Sequence, residues 1–142
     1  MSSILIDNSW IYDIQDAIYS RLDAVCTAKL GTKYRDINVT TDSHKVTSAK
    51  FPNVYIQFLA VEGGKDLDNQ NTNAIYLTAI VDVTVALAQK MEVAREVTNV
   101  VLNCMKEMRF DVNQIPEFND TDSEYRTISR FARWIGYGEE LF

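Results

Sequence analysis

Residues 75–87 read IYLTAIVDVTVAL and alternate apolar with more polar side chains. The apolar set occupies every second position and comprises Ile75, Leu77, Ala79, Val81, Val83, Val85 and Leu87. A period of two is typical of a β-strand with one dry face, and this run is far longer than the usual strand of about 5–6 residues. We therefore predict a long strand that forms an extended β-hairpin with a strand over residues 51–61.

The hairpin connection is rich in glycine and polar residues. Gly63-Gly64 predicts a break after the first strand, and residues 65–73 predict a polar loop because Asp and Asn favour turns. Farther upstream, residues 38–41 have the composition of a short strand inside a segment without clear periodicity.

Two segments have helical periodicity, with apolar side chains three or four positions apart. In the first they are Ile11, Ile14, Ile18, Leu22 and Val25. In the second they are Ala94, Val97, Val101, Cys104 and Met108. Asp7-Asn8-Ser9 supplies N-cap side chains and Gly31 a C-terminal glycine for the first helix. These patterns predict helices over about 9–30 and 90–108.

The C-terminal region predicts two more strands, over residues 110–118 and 125–135, with a turn at Asn119-Asp120. No linker or repeat divides the chain, so a single domain of residues 1–142 is expected. The predicted fold class is α+β, with an antiparallel sheet of about four strands and two helices packed on one face. The predicted element order is α-β-β-α-β-β.

Composition narrows the function classes. The net charge of −6 repels nucleic-acid phosphates and anionic lipid headgroups at long range, which disfavours a nucleic-acid-binding or membrane-surface protein. The N-terminus lacks the pattern of a signal peptide, and no window approaches the about 18 apolar residues of a membrane span. We expect a soluble protein inside the cell that makes it.

The sequence predicts no catalytic, cofactor or metal site, and hence no enzyme. His44 is the one histidine and stands in a polar segment away from Cys26 and Cys104, the two cysteines. Two cysteines are too few for a four-thiolate zinc site. No glycine-rich phosphate-binding motif precedes a helical pattern.

The layout resembles the tail terminator (tail completion) proteins of long-tailed bacteriophages. The resemblance rests on Phe51-Pro52-Asn53-Val54-Tyr55-Ile56 opening a strand, the long strand over 75–87, the second helix ending at Met108-Arg109-Phe110, and an arginine-bearing strand over 126–133. It implies a structural virion protein that forms a ring, typically a hexamer, at the head-proximal end of the tail tube. Such a ring ends tube polymerisation and docks the tail to the head connector protein. It also implies assembly in the host cytoplasm and DNA that passes through without specific binding.

Residues expected at subunit or partner interfaces combine loop, aromatic and arginine side chains. They are Lys65, Asp66, Leu67, Asp68, Tyr76, Arg126, Arg130, Arg133, Trp134 and Tyr137. Asp66 and Asp68 are also expected to line the lumen, where their charge would repel DNA. The surplus length of the strand over 75–87 is expected to pair edge to edge with neighbouring copies.

Other interpretations stay open at this point. The arginines could pair with surface acids of their own chain. The protein could be a connector or stopper of the phage neck. It could instead be a non-viral ligand-binding or regulatory domain, which would predict a monomer or dimer with a deep apolar pocket.

Overall fold

The structure is a computed structural model that describes residues 10–35, 37–41, 52–59, 62–65, 72–86, 90–120 and 124–136. Within these ranges two helices and six strands follow one another along the chain. They are α1 (Trp10–Leu30), β1 (Asn38–Thr40), β2 (Asn53–Phe58), β3 (Glu62–Lys65), β4 (Thr72–Ala86), α2 (Lys90–Glu107), β5 (Asp111–Asp120) and β6 (Glu124–Gly136). The α+β class and both helices are confirmed.

The strands form one mixed sheet in the order β1-β2-β4-β6-β5, with β3 paired to β4 beside β2. All neighbouring pairs are antiparallel except β1 and β2, which are parallel. The prediction of a purely antiparallel sheet of about four strands was therefore wrong. A parallel pair needs a crossover connection of about a dozen residues, and residues 41–52 provide that length.

The element order also differs from α-β-β-α-β-β, because β1 and β3 are additional short strands. Gly63 and Gly64 lie within β3, opposite Ile75 and Ala74 of β4, so the predicted strand break is wrong. The register shifts between Gly64 and Lys65. Glycine inside a strand often accompanies such a bulge, which explains why the pattern resembled a turn.

The long strand β4 lies at the centre of the sheet. One of its edges pairs with β6 from Ala74 to Ala86, and the other pairs with β3 near its start and with β2 from Ala79 to Thr84. Both edges are thus used within the chain. Pairing within the chain therefore occupies most of the length that was expected to join copies edge to edge, and that joining stays a prediction.

The predicted alternation of β4 sets the two faces of the sheet. The side chains of Ile75, Leu77, Ala79, Val81, Val83 and Val85 are at most 1% exposed. They join one core with Ile18, Leu22 and Cys26 of α1 and with Val97 and Val101 of α2. Helix α2 contacts β4 and β6, whereas α1 contacts α2 and β1. Both helices therefore pack on the same face of the sheet, as predicted.

Polar contacts fix the helices on that face. The hydroxyls of Thr98 on α2 and Thr127 on β6 are both buried and lie 2.6 Å apart. The Tyr19 hydroxyl donates to the carbonyl oxygen of Val39 over 2.9 Å and so joins α1 to β1. Each bond satisfies a polar group that burial would otherwise penalise.

Candidate protein-binding surface

The face of the sheet opposite the helices carries an exposed tryptophan and two exposed arginines beside a partly buried tyrosine and aspartate. We call it the open face and define it by Tyr76, Asp82, Arg126, Arg130 and Trp134. Residues opposite one another in an antiparallel pair share a face, so these positions of β4 and β6 lie together, one residue out of phase with the buried set. The described part of the chain places both helices on the other side.

An aromatic pair occupies one end of the open face. Tyr76 and Trp134 are direct cross-strand partners, and their ring centroids lie 5.2 Å apart with planes tilted by 54°. This separation is within the range favoured by interacting aromatic rings. The Asn113 amide donates a long bond of 3.5 Å to the Tyr76 hydroxyl. Trp134 nevertheless remains 55% exposed in the single chain. Tryptophan is one of the side chains most enriched at the hot spots of protein interfaces.

Arg126 occupies the opposite end of the open face and pairs with Asp82 of its own chain. Its Nε donates to Asp82 Oδ2 over 2.8 Å, and its Nη2 contacts the same oxygen. Asp82 lies opposite Ile128 and Arg126 opposite Thr84, so the pair is diagonal across the two strands. The interpretation that the arginines pair with surface acids thus holds for Arg126, whose side chain is held along the face.

Arg130 stands between these two ends. It is exposed and lies opposite Ile80 of β4, on the same face as Arg126 and Trp134. Four strand residues separate it from each, which corresponds to about 13 Å at about 3.3 Å per residue. The open face therefore presents an aromatic end and a stripe of two guanidinium groups.

Arg133 lies on the other face and does not join this group. It is 7% exposed, its Nη1 donates to the carbonyl oxygen of Met108 and its Nε to that of Trp134. Its guanidinium carbon also lies 6.0 Å from the centre of the Phe110 ring. This arginine satisfies a carbonyl at the C-terminus of α2, where a positive charge also favours the helix dipole.

Most of the other residues predicted for the interface lie outside the residues that the structure describes. Lys65 belongs to β3 and lies opposite Thr72, but nothing is described of its side chain. Asp66, Leu67, Asp68 and Tyr137 lie outside the described residues. The structure therefore brings together four of the ten predicted residues: Tyr76, Arg126, Arg130 and Trp134.

Two further residues of this surface were not identified from the sequence. Asp82 is the one acid in the alternating run, which was the available signal, but its pairing with Arg126 depends on the register of β4 against β6. Asn113 reaches Tyr76 from β5, two strands away in the sheet, and no local pattern indicates that contact.

The described residues form no metal-binding cluster, and the two cysteines are buried. No group of three or more His, Cys, Asp or Glu side chains able to hold a metal occurs among the described residues. Within the same ranges, neither helix combines the length and apolarity needed to cross a membrane. Cys26 and Cys104 are free and buried. Burial chiefly raises the pKa of the Cys26 thiol to about 12 and that of Cys104 to about 11.

A groove of about 540 Å³ runs between the two helices. Lys29 of α1 and Asn99, Asn103 and Lys106 of α2 are among the residues that line it. Val25, Val100 and Cys104 also line it, so the groove mixes apolar with polar and charged side chains.

The fold and this surface define an α+β domain with helices on one side of a mixed sheet and an aromatic pair with two arginines on the other. Comparison of the sequence with models of known protein families gives no match, and comparison with curated protein sequences gives no significant match.

Proposed function

We propose that this protein is a structural subunit of a bacteriophage tail. In this proposal, copies form a ring at the head-proximal end of the tail tube, and the resemblance to tail terminator proteins implies that the ring is a hexamer. The ring stops growth of the tube and provides the surface that docks to the head connector, while DNA passes through it. The observation that carries the proposal is the open face, with its exposed Trp134 beside Tyr76 and two arginines.

The composition of the open face is suited to protein binding. Trp, Tyr and Arg are the side chains most enriched at interface hot spots, and a rigid aromatic pair loses little conformational entropy on association. Trp134 and Tyr76 belong to the two longest paired strands of the sheet, so the backbone beneath them is held in place. A preorganised anchor of this kind reduces the cost of binding.

Charge supports protein over nucleic acid as the partner. Fourteen Lys and Arg residues are outnumbered by twenty Asp and Glu residues, giving the net charge of −6. One arginine of the open face, Arg126, is already neutralised by Asp82. Long-range repulsion of phosphates suits a ring that DNA must traverse without adhering.

The test is to assemble purified tail-tube subunits, from the phage that encodes this chain, with and without the protein. Electron microscopy should show rings at one end of each tube, and tubes should stop elongating once capped. Sedimentation should show the protein travelling with the tubes. Replacing Trp134 by Ala should weaken this association at least about tenfold, as expected for a hot-spot aromatic.

Asn99→Ala is a matched control, since Asn99 is exposed on α2 away from the open face. It should leave capping unchanged. Binding to portal-bearing heads without binding to tubes would instead identify a neck connector. Failure to bind either particle would contradict the proposed function.

A further inference from the structure

The two cysteines lie on the two helices that pack against each other. Cys26 of α1 is fully buried, Cys104 of α2 is 1% exposed, and both belong to the core. The groove between the helices is lined by Val25, the neighbour of Cys26 on α1, and by Cys104 itself. Both thiols therefore lie in the region where α1 packs on α2.

An ion pair near the start of this contact relates the two cysteines along the helices. Arg21 Nη2 of α1 lies 3.7 Å from Glu107 Oε2 of α2. Cys26 is five residues after Arg21 and Cys104 is three residues before Glu107, which corresponds to about 7.5 Å and about 4.5 Å along the two helices. The two cysteines thus come to levels that differ by about 3 Å.

A second ion pair, beyond the other side of the cysteines, gives the same register. Lys33 Nζ lies 3.0 Å from Glu96 Oε2, and the Tyr34 N–H still donates to the carbonyl oxygen of Leu30 in the helical manner. Cys26 is seven residues before Lys33 and Cys104 is eight residues after Glu96, or about 10.5 Å and about 12 Å. The helices are therefore antiparallel, and the cysteines lie almost opposite each other.

This arrangement has the dimensions of a disulfide. Packed helix axes are about 8–10 Å apart and each Cα lies about 2.3 Å from its axis, so facing Cα atoms offset by about 3 Å are about 4.5–6 Å apart. Disulfides join Cα atoms about 4.4–6.8 Å apart. Burial chiefly raises the pKa of the Cys26 thiol, and the charge of a Cys104 thiolate raises it further, which agrees with neighbouring sulfur atoms.

We infer that Cys26 and Cys104 are a disulfide-forming pair, which a small organic disulfide oxidises to a bond that joins α1 to α2. The inference does not depend on the proposed function. In a reducing compartment both thiols stay free, whereas in an oxidising one the bond forms. The same chain thus has a reduced and an oxidised form with different stabilities.

The groove determines which thiol reacts first. It has a volume of about 540 Å³ and reaches Cys104, so a small reagent meets this sulfur before that of Cys26. The Cys104 thiolate attacks one sulfur of the reagent, forms a mixed disulfide and releases one small thiol. The Cys26 thiolate then attacks the Cys104 sulfur and releases the second small thiol. Two protein thiols are oxidised, the S–S bond of the reagent is reduced, and the two protons leave on the released thiols.

The bond is expected to stabilise the chain against unfolding. It closes a loop from residue 26 to residue 104, which contains β1, β2, β3 and β4. A bond across so long a loop restricts the unfolded chain strongly, so the melting temperature should rise by at least about 5 °C. Reduction with dithiothreitol should reverse the rise.

The test exposes the full chain to oxidised glutathione at pH 8 in two ways. In one arm the folded chain is incubated for hours to days, and in the other the chain is refolded from urea in the same reagent. Thiol titration should show both cysteines disappearing together, and mass spectrometry should show the loss of two hydrogen atoms. A non-reducing peptide map should link Cys26 to Cys104. Thermal melting then compares the oxidised with the reduced chain.

The single variants Cys26→Ala and Cys104→Ala are the matched controls. Each retains one thiol and cannot form the bond, so its melting temperature should be the same after treatment with the reagent and with dithiothreitol. A similar rise in either control would assign the effect to something other than this bond.

Each remaining outcome decides one part of the inference. Free thiols or stable mixed disulfides in both arms would overturn the pairing of Cys26 with Cys104, as would a linked chain that melts below the reduced one. A link formed only during refolding would support the pairing and overturn access through the groove.

Discussion

The guanidinium group of Arg133 donates a hydrogen bond of 2.5 Å to the main-chain carbonyl oxygen of Met108. This bond joins β6 to the end of α2, twenty-five positions earlier in the chain. Burial of a charged side chain is costly unless its donors are satisfied, and Arg133 meets this condition with the carbonyl oxygens of Met108 and Trp134. Arg133 therefore supports the fold on which the open face is built.

Replacing Arg133 by Ala should destabilise the monomer by about 2–4 kcal/mol, because it leaves the Met108 carbonyl without this donor and opens a gap beside Phe110. Urea unfolding at low protein concentration measures the change. Arg130→Ala is the matched control on the same strand, and its effect should stay within about 0.5 kcal/mol because its side chain is exposed. Equal losses for the two variants would contradict the assigned role of Arg133.

The buried hydroxyl pair of Thr98 and Thr127 predicts a non-additive response. Thr98→Val or Thr127→Val alone should cost about 1–3 kcal/mol, because the remaining hydroxyl loses its partner in the core. The doubly substituted chain should be close to the wild type, since no unsatisfied hydroxyl remains. A double-mutant cycle by chemical denaturation measures the coupling. Additive losses would show that the two hydroxyls do not depend on each other.

Arg109 ends α2 in a conformation that favours glycine. Its φ is 66°, its N–H donates to Lys106 O, and the next N–H, from Phe110, donates to Met105 O. This pair of bonds is a Schellman motif, in which the buried Phe110 also follows the usual pattern of an apolar residue after the cap. Arg109→Gly should raise the free energy of unfolding by about 0.5–1 kcal/mol. Arg109→Ala keeps the backbone penalty, so a similar gain in that variant would assign the effect to the charge instead.

The two buried thiols predict a dependence on alkaline pH. With pKa values of about 12 for Cys26 and about 11 for Cys104, both stay protonated at neutral pH and should react slowly with a thiol reagent at pH 8 until the chain is unfolded in urea. An unfolded thiol ionises near pH 9, below the folded values. The stability that the two protonated thiols contribute to the folded state is therefore complete below about pH 9, and it is lost as the pH rises through about 11–12.

A chain with Cys26→Ala and Cys104→Ala should be less stable at neutral pH, yet should lose less further stability between pH 9 and 11 than the wild type. Thermal melting across this range measures the difference. Rapid modification of either cysteine in the native protein at pH 8 would contradict the buried, protonated state.

Periodicity made the main elements predictable. The alternation of β4 and β6 and the three-to-four spacing in α1 and α2 are local signals, and they indicated both the elements and the faces. The apolar residues Ala94, Val97, Val101, Cys104 and Met108 predicted for the buried face of α2 are all buried. These elements carry their own amphipathic pattern, so no tertiary information was needed.

The remaining features depend on distant parts of the chain. Strand β1 pairs in parallel with β2, and the glycine-containing strand β3 pairs with β4. Neither β1 nor β3 has a strong alternation of its own, so pairing with a distant strand determines its structure. Arg133 is one residue out of phase with Arg126 and Arg130, but alternation does not reveal which side chains cover a face. The carbonyl of Met108 that holds Arg133 comes from another element, which explains why an exposed role was expected for this arginine.

Electron cryomicroscopy of the protein bound to tail tubes tests the central claim most directly. The account predicts a closed ring at one tube end, in which the Trp134 side chain is buried by a neighbouring protein. A ring whose open face remains in solvent would contradict the assigned surface, and tubes without any ring would contradict the proposed function itself.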